Sequence, residues 1–189
     1  MTETEIKLRW PEHQGDPLVA LKAKGFTIAA KRTLESDQLY DRKTETAPAG
    51  QLRQSDQVLR LRRAGGTAVA TYKGPASRER YKSREEIEFE VSDADAFHLV
   101  LLRLGYLPLF RYEKYRTKFV RSGEPGIVSI DETPVGVFLE LEGPKDWIDT
   151  TAEDLGFKIE TYLTISYASL YREYCTYHPE APMDMIFQN

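Results

Sequence analysis

Acidic side chains recur in pairs separated by one residue, a spacing that can hold a metal ion. The pairs are Glu3/Glu5, Glu86/Glu88 and Glu140/Glu142. If each pair lies on a β-strand, its two carboxylates share one face and stand about 7 Å apart, from a rise of ~3.3–3.4 Å per residue. Repulsion between them destabilises the sheet unless a cation lies nearby. Carboxylate oxygens are the ligands that Mg²⁺ and Mn²⁺ prefer, so the pattern indicates a divalent-metal site.

Basic side chains recur with the same spacing, at Arg60/Arg62 and Lys114/Arg116. Arginine binds phosphate oxygens through two parallel hydrogen bonds and lysine binds them as a point charge, so these clusters suit an oligophosphate. Acidic and basic clusters joined by a metal ion are the recurring arrangement for phosphoryl transfer. The alternative is that each strand lies flat on a core with its charged face in water, which is the usual arrangement for a single strand.

The segments that carry these pairs alternate between charged and apolar residues, as strands do. The alternation predicts strands at 3–10, 58–63, 67–73, 84–91, 110–121, 127–131 and 137–142, and two strands within 26–40 around 34–37. Helices are predicted at 16–24, from a Ser92 cap to Gly105 with one side largely buried, near 151–155 and near 164–174, with loops at 42–56 and 74–82. A barrel with its charged faces inward would bring the pairs together and leave the apolar faces to pack under the helices.

Length and composition indicate one domain. The 189 residues include 26 Lys+Arg and 30 Asp+Glu, for a formal net charge of −4, which argues against a dedicated nucleic-acid-binding protein. Cys175 is the only cysteine and there are three histidines, so an internal disulfide and a Cys/His zinc cluster are both excluded. The sequence shows no signal peptide and no apolar run of ~20 residues, so we expect a soluble, cytoplasmic protein without a membrane partner.

The charged pairs belong to a longer series of short motifs. In order, the motifs are Glu3-x-Glu5-x-Lys7, Tyr40-Asp41, Leu59-Arg60-Leu61-Arg62, Tyr72-Lys73-Gly74-Pro75, Arg84-x-Glu86-x-Glu88, Glu113-Lys114-Tyr115-Arg116, Asp131, Gly136-x-Phe138-x-Glu140-x-Glu142 and Ser166-Tyr167-Ala168-Ser169-Leu170. The series resembles the CYTH superfamily, the triphosphate tunnel metalloenzymes. The resemblance implies an α+β, β-rich fold in which a closed eight-stranded antiparallel barrel forms a tunnel with helices outside. It also implies a catalytic domain over residues 1–177 and a tail over 178–189.

The resemblance further implies a role for each charged residue. The triphosphate would be bound by Lys7, Arg60, Arg62, Lys73, Lys114 and Arg116. One or two Mg²⁺ or Mn²⁺ ions would be bound by Glu3, Glu5, Asp131, Glu140 and Glu142, with Glu86 and Glu88 as further tunnel acids. Lys7 is also the candidate catalytic residue that activates the attacking water, a role that needs a lowered pKa.

Four functions are compatible with these residues. The favoured one is hydrolysis of a linear triphosphate such as ATP, thiamine triphosphate or tripolyphosphate, because it needs only phosphate and metal sites. The second is a class IV adenylyl cyclase that converts ATP to cyclic AMP and pyrophosphate, which also needs a nucleotide pocket that no motif locates. The third is a non-catalytic module that binds polyphosphate, and the fourth is a β-rich protein whose charged faces meet water. The sequence leaves the oligomeric state open.

Overall fold

Nine strands and five helices are present in the computed structural model, which describes residues 2–48 and 50–188 and, at Arg78, the backbone alone. The strands are β1 (Thr2–Arg9), β2 (Thr27–Asp41), β3 (Val58–Ala64), β4 (Thr67–Lys73), β5 (Ser77–Arg78), β6 (Lys82–Glu90), β7 (Leu107–Val120), β8 (Ile127–Thr133) and β9 (Gly136–Glu142). The helices are α1 (Pro17–Ala23), α2 (Gln51–Gln54), α3 (Ala94–Arg103), α4 (Lys145–Asp154) and α5 (Tyr167–Tyr177). Single 3-10 turns occupy Glu12–Gln14 and Ile159–Thr161.

Eight of the strands close into an antiparallel barrel. Their order is β1-β9-β8-β7-β2-β3-β4-β6, and pairing between β6 and β1 closes the ring. The short β5 pairs with the first residues of β6, and β4 pairs with the later residues of the same strand. This confirms the predicted α+β architecture and the closed barrel of eight strands.

The largest apolar core lies outside the barrel wall. Ile6, Leu8, Leu139 and Leu141 are fully buried and pack in one cluster with residues of α1 and α4. The residues between them along β1 and β9 point the other way, into the barrel, because successive side chains of a strand alternate between its faces. The barrel therefore has a polar interior, and the helices are needed to cover its apolar exterior.

The segment predicted as two strands within residues 26–40 is a single strand of fifteen residues. β2 pairs with β7 along nearly its whole length, with register shifts between Ile28 and Ala30 and between Ala30 and Thr33. Such bulges let a strand bend while it stays in the sheet, so no turn is needed at 34–37. The following segment, predicted as a loop, contains α2, whose backbone N–H groups at Leu52 and Arg53 donate to Asp41.

The helix after β6 differs from its prediction at both its start and its exposed side. Asp93, and not Ser92, caps α3, since its carboxylate accepts hydrogen bonds from the backbone of residues 95 and 96. The side that carries Ala94, Phe97 and Leu101 packs against the barrel as predicted. The other side is also apolar but exposed, with Leu99, Val100 and Leu104 at 57%, 51% and 58%. Among the described residues, no helix is both long enough and apolar enough to span a membrane.

Helix α4 begins at Lys145, six residues before the predicted start, and packs its tryptophan against a glycine. A Cβ atom at Gly126 would lie 2.2 Å from the Trp147 ring, which no real contact allows. The indole nitrogen of Trp147 donates to Glu124 at 2.7 Å. Trp147 is therefore a packing residue that fixes α4 against the turn before β8.

Candidate active site

The inward faces of the strands surround one charged cavity of about 200 Å³. Its lining includes all six cations predicted to bind a triphosphate, Lys7, Arg60, Arg62, Lys73, Lys114 and Arg116. It also includes six of the seven predicted carboxylates, Glu3, Glu5, Glu86, Glu88, Glu140 and Glu142. Strand alternation thus gathers residues from β1, β3, β4, β6, β7 and β9 in one place.

The register between neighbouring strands sets which charges face each other. Lys7 is opposite Glu140 across β1 and β9, and its Nζ lies 3.1 Å from carboxylate oxygens of both Glu140 and Glu5. Burial alone lowers the pKa of Lys7, but the charges of Glu140 and Glu5 outweigh it and raise that pKa. With a raised pKa, Lys7 stays charged and suits the binding of a phosphate. The raised pKa disfavours the role of base that the resemblance implied for this residue.

Asp131 lies behind the cations and does not line the cavity. The Arg116 guanidinium donates to both of its oxygens, at 2.6 and 2.5 Å, and the Lys114 ammonium donates at 2.8 Å. The Tyr167 hydroxyl, from α5, donates to the same carboxylate at 2.6 Å. Four donated hydrogen bonds engage this fully buried carboxylate, so its contacts favour holding Arg116 and Lys114 in place over direct metal binding.

A second buried carboxylate, Asp37 on β2, holds the other arginine pair. The Arg62 guanidinium donates to its two oxygens at 2.8 and 3.1 Å, and the Nε atom of Arg60 lies 3.5 Å away. Burial raises the pKa of Asp37, but the charges of Arg62 and Arg60 prevail and lower it to about 2. Asp37 was not predicted as a site residue because the sequence pattern indicated a turn at 34–37. In the continuous strand β2 it shares its face with Glu35 and Leu39.

Two cations on β6 were also missed. Lys82 and Arg84 share parity with Glu86 and line the cavity; Lys82 was assigned to the preceding loop, and Arg84 was noted only as part of a motif. Burial and the neighbouring charge of Lys7 lower the pKa of Lys82 to about 8, although it forms an ion pair with Glu5.

The carboxylates Glu3 and Glu142 lie close to other carboxylates of the cavity, Glu3 beside Glu86 and Glu142 beside Glu140 and Glu5. Burial and the charges of Glu86 and Glu142 raise the pKa of Glu3 to about 7. Burial, Glu140 and Glu5 likewise raise the pKa of Glu142. Carboxylates that hinder each other's ionisation are stabilised by a hard divalent cation, so the donor chemistry fits Mg²⁺ or Mn²⁺.

No three Asp, Glu, His or Cys side chains among the described residues stand close enough to hold an ion unaided. This is compatible with Mg²⁺, which usually takes one or two protein carboxylates and completes its shell with water and substrate phosphates. Glu5 and Glu140 are paired with cations, so they become metal ligands only if those cations turn to another anion. The site therefore suits a metal that arrives together with a phosphate ligand.

Comparison with known proteins agrees with this arrangement. The model of the CYTH domain matches residues 1–168. A Methanocaldococcus jannaschii protein described as "Putative adenylate cyclase MJ0240" is 31% identical over 143 residues, covering 75% of this chain and 77% of that protein.

Two solved structures are similar in fold. A Vibrio parahaemolyticus protein with the same kind of description superposes with a TM-score of 0.76 at 19% identity, covering 91% of this chain and 98% of the other. The Hippeastrum protein HpAC1, reported to have a dominant triphosphatase activity, superposes with a TM-score of 0.64 at 18% identity, covering 90% and 95%. Barrel, inward charges and family model agree: the chain belongs to the CYTH family.

Proposed function

We propose that this protein binds a linear triphosphate together with Mg²⁺ or Mn²⁺ inside the barrel and hydrolyses it. The supporting observation is the buried cavity in which arginine and lysine pairs from three strands face carboxylates from two others. These charges are paired with one another, so a ligand that displaces one sign must also offer a partner to the other, because a buried ion without a partner is strongly destabilising. A triphosphate with a divalent cation supplies both signs at once.

The arginines would bind the phosphate chain from one side of the barrel, since β3 and β7 both flank β2. Arg62 and Arg116 are each held from behind by a buried carboxylate, Asp37 and Asp131, so their guanidinium planes are fixed before a ligand arrives. Preorganised donors of this kind are the main source of charge stabilisation in phosphoryl transfer. The remaining predicted phosphate ligands, Lys7, Arg60, Lys73 and Lys114, would add charge along the chain.

Two kinds of carboxylate would hold the metal. Some lie beside other carboxylates, and others would lose their cations to the phosphate ligand. Glu3 and Glu142 would bind the metal first, with Glu5, Glu86 and Glu140 close by and Glu88 at the edge. A bound divalent cation would neutralise phosphate charge and lower the pKa of water. Asp131 would act by positioning cations. Lys7 would bind phosphate, since its raised pKa leaves it charged.

Adenylyl cyclisation is the second candidate, since the Methanocaldococcus relative is described as "Putative adenylate cyclase MJ0240". It uses the same phosphate and metal sites but replaces water by the 3′-hydroxyl of ATP, with pyrophosphate leaving. Hydrolysis is favoured because the similar structure of HpAC1 is reported with a dominant triphosphatase activity.

Product analysis decides between these activities. Purified protein is incubated with ATP, thiamine triphosphate or tripolyphosphate, with Mg²⁺ and then with Mn²⁺, and products are separated by ion-exchange chromatography. We expect orthophosphate and the corresponding diphosphate. Formation of cyclic AMP and pyrophosphate from ATP would show that the protein is a cyclase and not a hydrolase. Tight binding without turnover of any triphosphate would indicate a non-catalytic polyphosphate-binding module.

A further inference from the structure

Tyr167 is the first residue of α5, and hydrogen bonds on either side of it hold this end of the helix against the barrel. Four residues earlier, Leu163 exchanges backbone hydrogen bonds with Lys7 of β1, at 2.8 and 2.9 Å. Ser166 caps the helix, since its hydroxyl accepts a hydrogen bond from the backbone N–H of Ser169 at 3.2 Å. The start of α5 is therefore fixed relative to β1, and its first side chain lines the charged cavity.

The ring of Tyr167 lies beside two of the cations in the cavity. The ammonium groups of Lys7 and Lys114 stand 5.3 and 4.9 Å from the ring centroid, within the ~6 Å over which an aromatic face attracts a cation. The Phe138 ring packs against it at 79°, with the two centroids 5.7 Å apart. Tyr167 is buried, so packing holds its ring in one position and brings its hydroxyl to a fixed point.

The Tyr167 hydroxyl donates to the Oδ2 atom of Asp131 at 2.6 Å. The same oxygen accepts hydrogen bonds from Lys114 at 2.8 Å and from Arg116 at 2.5 Å, and Oδ1 accepts from the Nε atom of Arg116 at 2.6 Å. The hydroxyl is uncharged, whereas the other three hydrogen bonds come from cations. It therefore adds a fixed direction to the carboxylate without adding charge that would repel Lys114 and Arg116.

The origin of this hydrogen bond determines what it does for the cations. Hydrogen bonds from Lys114 and Arg116 alone would let Asp131 follow these side chains whenever they shift toward a ligand. The bond from Tyr167 ties the carboxylate to a packed ring on α5, so Asp131 stays in place and both cations keep their direction into the cavity. Direction matters most in the transition state, where a misplacement of about 1 Å can lower the rate ~10²-fold.

We propose that Tyr167 is a positioning residue of the active site, which acts through Asp131 to direct Arg116 and Lys114 toward the phosphate chain. This rests on the proposed hydrolysis of a triphosphate in the barrel. The hydroxyl of Tyr167 is committed to Asp131, so we assign it no proton transfer. The start of α5 is thus part of the phosphate site and does more than cover the apolar exterior of the barrel.

Two variants on the same helix test this role. Tyr167→Phe removes the hydroxyl and keeps the ring, and Tyr171→Phe is the matched control. Tyr171 lies one turn later on α5, and its hydroxyl donates at 2.7 Å to the backbone carbonyl of Pro182 in the C-terminal segment. Each variant loses one hydrogen bond of α5, so each should lower Tm by ~2–4 °C in differential scanning fluorimetry.

Steady-state hydrolysis of tripolyphosphate with Mg²⁺ separates the two variants. Tyr167→Phe should lower kcat at least tenfold and change KM less than threefold, because misdirected cations affect the transition state more than the ground state. Tyr171→Phe should leave both constants within twofold of the wild type.

The outcomes distinguish this inference from the proposed function. If the two variants had equal kcat, or if Tyr167→Phe changed KM alone, Tyr167 would not direct the cations and the inference would be wrong while the proposed function stood. If the wild-type protein did not hydrolyse tripolyphosphate, the proposed function would fail and the inference with it.

A double-mutant cycle tests whether Tyr167 acts through Asp131. Asp131→Asn keeps the size of the side chain and removes the charge that holds Arg116 and Lys114. In that background Tyr167→Phe should lower kcat less than twofold further, since residues that act as a unit are not additive. A further tenfold loss would show that the hydroxyl acts independently of Asp131 and would contradict the inference. If Asp131→Asn does not fold, the comparison with Tyr171→Phe decides alone.

Discussion

Asp37 shows how a single buried carboxylate positions two arginines that line the cavity. It is fully buried, and its charge is matched by the guanidinium groups of Arg62 and Arg60. The ion pair fixes one face of each arginine and leaves the other face toward the cavity. Removing the carboxylate would leave two buried cations without their main partner, which is more costly than the pair itself is stabilising.

The pKa of Asp37 predicts an acid-dependent loss of stability. Its folded-state pKa of about 2 lies below the unfolded value of ~3.9, so its contribution is complete above about pH 4 and disappears as the pH falls to 2. Between pH 5 and pH 2 the wild type should lose about 2 kcal/mol more unfolding free energy than Asp37→Asn, from ~1.36 kcal/mol per pKa unit. Urea unfolding at several pH values measures the difference.

The control for this experiment is Asp95→Asn. Asp95 pairs with Arg63 on the protein surface, where ion pairs contribute little. Its unfolding free energy should follow that of the wild type across the same range. If Asp37→Asn and the wild type gave parallel curves, the ion pair with Arg62 would not exist in solution.

At the level of the element, β3 offers a direct test of strand alternation. Arg62 points into the cavity, whereas its neighbour Arg63 pairs with Asp95 outside. Replacing Arg62 by Ala should weaken tripolyphosphate binding about 10- to 100-fold, since hydrogen bonds between charged groups contribute ~1.5–3 kcal/mol. Arg63→Ala should change it less than twofold. Calorimetry with Mg²⁺ measures both, and equal losses would contradict an inward-facing Arg62.

The contact between α4 and the turn before β8 predicts a stability effect remote from the site. Gly126→Ala places a methyl group inside the Trp147 ring and forces the helix away from the barrel. Overpacking of this kind costs ~1–3 kcal/mol. Chemical denaturation should show that loss, while Ser122→Ala in the same exposed turn should stay within about 0.5 kcal/mol of the wild type. If Gly126→Ala had the same unfolding free energy as the wild type, Trp147 would not pack against residue 126.

Across the whole molecule, the charges inside the barrel nearly cancel. Among the described residues, nine Lys and Arg side chains and six Glu side chains line the charged cavity. Three further carboxylates, Glu35, Asp37 and Asp131, are buried in ion pairs with these cations. The cations that line the cavity thus exceed the lining carboxylates by three, which suits an anion carrying several charges.

Ligand binding should therefore stabilise the fold strongly. Tripolyphosphate at 100 times its dissociation constant contributes ~2.7 kcal/mol, which raises Tm by about 5–10 °C for a chain of this size. Orthophosphate at equal ionic strength should raise it by less than ~2 °C. Differential scanning fluorimetry, with and without Mg²⁺, makes the comparison, and equal shifts would show a general salt effect in place of a specific site.

Alternation along single strands made most of the cavity predictable. Lys7, Arg60 and Glu140 face inward because their neighbours are apolar, and this pattern is visible in the sequence. Contacts across strands were not predictable, since register depends on bulges such as those near Ala30. The burial of Asp131 under Arg116 and Tyr167 is a contact of that kind. The exposure of α3 was missed because its apolar residues outnumber what the barrel surface can cover.

The ion pairs inside the barrel have a consequence for the release of product in the proposed hydrolysis. Lys7 is held by Glu5 and Glu140 while no phosphate is bound, so every phosphate that binds must compete with carboxylates already in place. A triphosphate replaces many of these ion pairs at once and therefore binds tightly. An orthophosphate replaces few of them and binds weakly, because the carboxylates are present at high local concentration. The carboxylates of the barrel thus compete with a shortened product and favour its release.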